Sequence, residues 1–79
     1  MLKEKTSCTV VSFANTTSAL AMEAACKENG IPGSIIPVPN EITAACGFAW
    51  RAPEEARERI ERFLSEKALA YDGIYTLML

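Results

Sequence analysis

Twice along its 79 residues this chain passes from a strand-like run into a helical run and back to a strand-like run. That doubled rhythm limits the possible folds more than any composition figure does. Residues 7–13, Ser-Cys-Thr-Val-Val-Ser-Phe, are β-branched and aromatic-rich and predict a strand. Residues 17–28 are alanine-rich, carry Leu20, Met22 and Cys26, and predict a helix. Thr16-Thr17-Ser18 supplies candidate N-caps, and Asn29-Gly30 is a C-cap signal. After the turn Ile31-Pro32-Gly33, residues 34–38 predict a second strand. Pro37 lacks an N–H and so belongs on a sheet edge. Residues 40–46 read as a loop or a single helical turn. Residues 47–51, Gly-Phe-Ala-Trp-Arg, predict a third strand with Phe48 and Trp50 on one face.

Pro53 stands where the first residue of the next helix belongs, and Glu54 and Glu55 favour its positive end. Ala56, Ile60, Phe63, Leu64 and Ala68 follow helical spacing. After Tyr71-Asp72-Gly73, residues 74–79 predict a final strand. The order βαββαβ implies one α+β domain over residues 1–79. It is a ferredoxin-like sandwich, with two helices on one face of an antiparallel sheet. That topology places the first and third strands in the centre and the second at an edge, where Pro37 also points.

A chain this short buries only about 60% of its unfolded surface, so it cannot enclose a large cofactor. The net charge is −2, from 8 Lys+Arg against 10 Asp+Glu. Lys3/Lys5 and Arg57/Arg59/Arg62 are interleaved with glutamates, which argues against a nucleic-acid surface. No apolar run reaches the ~20 residues of a membrane span. Met1–Lys5 leads into no apolar segment of a signal peptide, so the expected location is the cytoplasm. Cys8, Cys26 and Cys46 make an odd count, which points to reduced thiols rather than a disulfide framework. With no histidine and no C-x-x-C pair, neither a zinc site nor Cys-His catalysis is expected.

The stretch Ile36-Pro37-Val38-Pro39-Asn40-Glu41-Ile42-Thr43-Ala44-Ala45-Cys46-Gly47 is where chemistry is most expected. Two prolines stiffen its start, and Gly47 beside Cys46 leaves open backbone able to take φ > 0. On the residues alone, Cys46 is either a nucleophilic, group-carrying thiol or a small apolar packing residue. A reactive thiol needs a cation or a helix N-terminus beside it, and Arg51 is the candidate cation. A helical turn at 43–45 would instead present its C-terminal end to Cys46. Thr43 and Asn40 could donate to a thiolate or anion, or could cap the loop. Cys8, alternating with Val10, and Cys26, sharing a face with Ala19 and Met22, read as structural. Glu54, Glu55 and Glu58 read as a solvated helix face. Glu23 could cap a loop or meet Arg51. Phe48 and Trp50 read as core, and the glycines form no phosphate-cradling pattern.

These residues resemble the selenium/sulfur carrier protein-like family of small prokaryotic domains. The resemblance rests on Phe13, Thr17, Ala19-Leu20 and Glu23, then on Gly30-Ile31-Pro32 and Ile36-Pro37-Val38-Pro39. It continues through Glu41-Ile42-Thr43, Cys46-Gly47 and Arg51 to Asp72-Gly73 and Tyr75. It covers nearly the whole chain, and the Pro-x-Pro to Cys-Gly segment is its most specific part. The family often has Arg after the second proline, where this chain has Asn40, and Ser where this chain has Thr43. The resemblance implies that Cys46 accepts a persulfide or selenopersulfide from a donor such as a cysteine desulfurase and passes it to an acceptor protein. Gly47 would give access, with Thr43, Arg51 and Asn40 as polar support. It implies no organic cofactor and no metal, and carriage rather than turnover. The alternative is a non-catalytic interaction module that forms a homodimer through its sheet edges, with Cys46 as packing.

Overall fold

The computed structural model describes residues 6–42 and 47–79. Its elements are β1 (Ser7–Ser12), α1 (Thr16–Asn29), β2 (Ser34–Pro37), β3 (Phe48–Pro53), α2 (Arg57–Glu66) and β4 (Gly73–Met78). A single 3₁₀ turn, Glu54–Ala56, joins β3 to α2. The four strands form one antiparallel sheet in the order β2-β3-β1-β4. This is the ferredoxin-like α+β arrangement. β1 and β3 are central, and β2 lies at an edge, where Pro37 costs no ladder hydrogen bond.

Both helices end by the same backbone device. Gly30 takes φ 66° after α1, and the Ile31 N–H reaches the Cys26 carbonyl at 3.0 Å. Ala68 takes φ 52° after α2, and the Leu69 N–H reaches the Leu64 carbonyl at 3.0 Å. Each pattern satisfies otherwise orphaned carbonyls in the last turn. Ala68 therefore terminates α2 rather than extending its periodic face. At the start of α1 the cap is Asn15, one residue before the expected Thr16-Thr17-Ser18. Its extended backbone lets the side-chain oxygen accept from the Ser18 N–H at 2.8 Å. Pro53 closes β3 and precedes the 3₁₀ turn instead of opening a helix directly.

Strand alternation divides the core between the two sheet faces. On the helix face, Val11, Phe13, Trp50 and Ala52 pack with Met22, Cys26, Ile60, Phe63 and Leu64. Trp50 is buried, and its indole N–H donates to the Pro32 carbonyl at 3.3 Å. Phe48 shares that strand face but is 42% exposed, against the expectation that it joins the core. It is the first residue of β3, opposite Pro37 at the end of the edge strand, so it stands at a corner of the sheet. Among the described residues the opposite face carries no helix. There Val10 and Ala49 pack with Ile42, which follows β2.

Candidate functional site

Residues 38–42, the first part of the β2–β3 connection, fold onto the helix-free face. Its neck is closed by the Val38 N–H donating to the Gly47 carbonyl at 3.0 Å. Inside the neck the Ile42 N–H donates to the Pro39 carbonyl at 3.0 Å, which turns the chain back towards the sheet. Ile42 is then only 5% exposed against Val10 and Ala49 and pins the connection to the sheet. Asn40 and Glu41, at the turn, are exposed. Gly47 is also exposed, and a Cβ there would meet nothing within 4 Å among the described residues. Cys46 and Thr43, singled out from the sequence, lie outside the described residues.

Arg51 lies four residues along β3 from Gly47, which is roughly 13 Å of extended chain. Its side chain is engaged with a different thiol. In the β1–β3 ladder Val10 faces Arg51 and Cys8 faces Pro53, so Cys8 and Arg51 are diagonal neighbours on the helix-free face. The Arg51 Nε donates to the Cys8 sulfur at 3.3 Å. The Cys8 thiol in turn donates to the Thr6 carbonyl at 3.4 Å, and the Thr6 hydroxyl lies 3.7 Å from the sulfur. Burial pushes the Cys8 pKa up. The Arg51 hydrogen bond and charge, with Thr6 and the Leu79 backbone, outweigh it and hold the thiol below its ordinary value. A hydrogen-bonded cation favours the thiolate, and that decides the sign.

The pair lines a cleft of about 450 Å³ together with Thr6, Ser34, Gly33 and Glu55. Gly33 makes its wall possible. With φ 127°, a Cβ there would sit 2.5 Å from both the Arg51 carbonyl oxygen and the Trp50 indole nitrogen. Only the smallest residue fits where the α1–β2 turn crosses β3. Cys8 is 3% exposed, in keeping with the structural role read from its alternation with Val10, but its polar surroundings were not foreseen. The signal lay in strand pairing, because the Cys8–Arg51 contact needs the antiparallel register of two strands distant in sequence.

With this geometry in place, a family profile described as "Putative Se/S carrier protein-like" is found to match residues 8–76. The chain belongs to that family. No curated protein and no solved structure matches it. Within this Se/S carrier-like chain the match spans both the 38–47 connection and the Cys8–Arg51 pair.

The remaining candidates fall outside both places. Cys26 is completely buried under α1, and burial pushes its thiol up to about 11, as suits a packing residue. Glu54, Glu55 and Glu58 are exposed, and Glu58 pairs with Arg62 at 4.0 Å on the surface of α2. Glu23 belongs to α1, on the helix face, and among the described residues it forms no ion pair with Arg51. Among the described residues no three His, Cys, Asp or Glu side chains converge as metal ligands, and no helix is long and apolar enough to cross a membrane.

Proposed function

We propose that this protein carries sulfur or selenium as a persulfide or selenopersulfide on Cys46. The observation that carries this reading is the family match over residues 8–76, a span that includes Cys46. The 38–47 connection supports it. Ile42 anchors the connection to the sheet while Asn40, Glu41 and Gly47 stay exposed, so a partner protein can reach the backbone next to Cys46. The complete burial of Cys26 removes it as a rival carrier.

The transfer needs one nucleophile. The Cys46 thiolate attacks the outer sulfur of a donor persulfide, such as that of a cysteine desulfurase. A new S–S bond forms at Cys46, the donor S–S bond breaks, and the donor leaves as its thiolate. The same exchange towards an acceptor protein unloads the cargo, with no net oxidation and no resident cofactor. Turnover would normally call for a general acid or base as well, and the chain has no histidine.

The test is intact-mass analysis after incubation with a cysteine desulfurase and cysteine, or with the selenium analogue. Wild type should gain one sulfur or selenium atom that a thiol reductant removes, and Cys46→Ser should gain none at that position. Equal labelling of both proteins, with peptide mapping placing the added atom elsewhere, overturns the assignment.

A further inference from the structure

The helix-free face holds a second place suited to thiol chemistry, separate from the β2–β3 connection. Three observations meet there. Cys8 and Arg51 are hydrogen-bonded at 3.3 Å and both line the cleft of about 450 Å³. That bond uses only Nε of Arg51, and among the described residues no carboxylate lies within 4.0 Å of its guanidinium. The terminal nitrogens of the guanidinium thus remain able to fork onto an anion. Thr6 and Ser34, both hydroxyl-bearing, also line it. A soft sulfur, a cation and hydroxyls along one wall fit a small anion with an electrophilic sulfur.

We propose that this cleft is a second thiol site, in which Cys8 takes a sulfane sulfur from a small anionic donor of the thiosulfate class while Arg51 holds the donor's oxyanion end. The Cys8 thiolate attacks the outer sulfur and forms a new S–S bond. The donor's own S–S bond breaks, and its electron pair leaves with sulfite. The sulfane sulfur changes owner without an external oxidant or reductant. The site does not depend on the role of Cys46, because the two thiols are scored on separate peptides. Glu55 is the acidic side chain among the described residues lining the cleft, and it opposes anion approach. It therefore supplies a control of opposite sign.

The experiment uses the whole chain. Reduced protein is incubated with thiosulfate and the added sulfur is mapped by peptide mass. In parallel, the rates of Cys8 alkylation by iodoacetate and by neutral iodoacetamide are compared. Wild type should add one sulfur at Cys8 and should favour iodoacetate more than Cys8 does in the unfolded chain. Arg51→Met should lower the iodoacetate rate about tenfold, the equivalent of ~1.4 kcal/mol of charge interaction, and the iodoacetamide rate by less. Arg51→Lys should recover part of the loss, and Glu55→Gln should raise the iodoacetate rate. Should Arg51→Met fail to fold, rising salt in wild type gives the same comparison, since screening erodes only the preference for the charged reagent. A Cys8 as inert as Cys26 until denaturant is added overturns the proposal. So does sulfur found on Cys46 alone, or an iodoacetate preference indifferent to both salt and Arg51.

Discussion

Replacing Gly33 with alanine should be among the costliest one-methyl changes in this fold. Gly33 has φ 127°, a conformation L side chains rarely adopt, and such strain costs about 1–3 kcal/mol. The new Cβ would also lie 2.5 Å from the Arg51 carbonyl oxygen and from the Trp50 indole nitrogen, neither of which is the loose end of a flexible chain. Overpacking of that kind adds about 1–3 kcal/mol. Lost freedom in the unfolded chain gives back only about 0.4–1 kcal/mol. The net loss is roughly 1–6 kcal/mol, against the roughly 4–12 kcal/mol expected for 79 residues. Gly30→Ala is the matched control. Its φ is also positive, at 66°, but a Cβ there meets nothing within 4 Å. Its cost should be limited to the left-handed penalty of about 1–2 kcal/mol, less the same unfolded-state gain. Urea unfolding followed by the fluorescence of Trp50, the only tryptophan, reads both variants. The Gly33 variant should lose at least about 1 kcal/mol more than the Gly30 variant. Equal losses would refute the claim that close packing of the turn against β3, rather than backbone angle alone, holds the cleft wall in place.

Ala68→Gly should stabilise the protein by about 0.5–1 kcal/mol in the same assay, because Ala68 occupies the left-handed helix end at φ 52° that glycine takes without strain. Ile42→Ala should cost about 2–5 kcal/mol in unfolding free energy if the connection is pinned by that side chain, and should speed amide exchange at Val38, which closes its neck. The pH dependence of stability should carry the mark of Cys26. Its folded pKa is raised from 9.0 to about 11, so its contribution is fully present below about pH 9 and is lost as pH rises towards 11. The slope should approach 1.4 kcal/mol per pH unit, for roughly 2–3 kcal/mol across the window. Urea titrations of wild type and Cys26→Ala should diverge only there, and parallel curves would count against that burial.

The fold was legible because each element carries its own local reason. The β-branched run before Thr16, the small residues ending at Gly30 and the spacing of Ile60, Phe63 and Leu64 each predict one element without help from the others. Pro37 then fixed the edge of the sheet, and the observed order β2-β3-β1-β4 agrees with it. The misses lie where local rules do not decide. Asn15 caps α1 because its extended backbone aims the side chain at Ser18, whereas residue preference alone leaves four cap-competent residues, 15–18, in a row. Ala68 fits the helical period but ends the helix, because a backbone turn there satisfies carbonyls that periodicity ignores. Phe48 has the right strand parity for the core, yet parity says nothing about which strand ends are covered.

The two candidate places differ in how far the sequence marks them. The stretch from Pro37 to Gly47 announces itself through its prolines, its glycine and its family pattern, all read along the chain. The Cys8–Arg51 pair cannot be read that way. Alternation within β1 places Cys8 beside Val10 and makes it look like ordinary packing. Only the pairing of Val10 with Arg51 brings a guanidinium to the sulfur. The same antiparallel register sets Pro53 opposite Cys8. A one-residue slip of β3 against β1 would turn Arg51 to the helix face, among Met22 and Ile60, where an unpaired charge is costly. The thiol's electrostatics and the burial of the core are therefore fixed by one choice of register, and a change that shifts β3 should disturb Cys8 and Trp50 together.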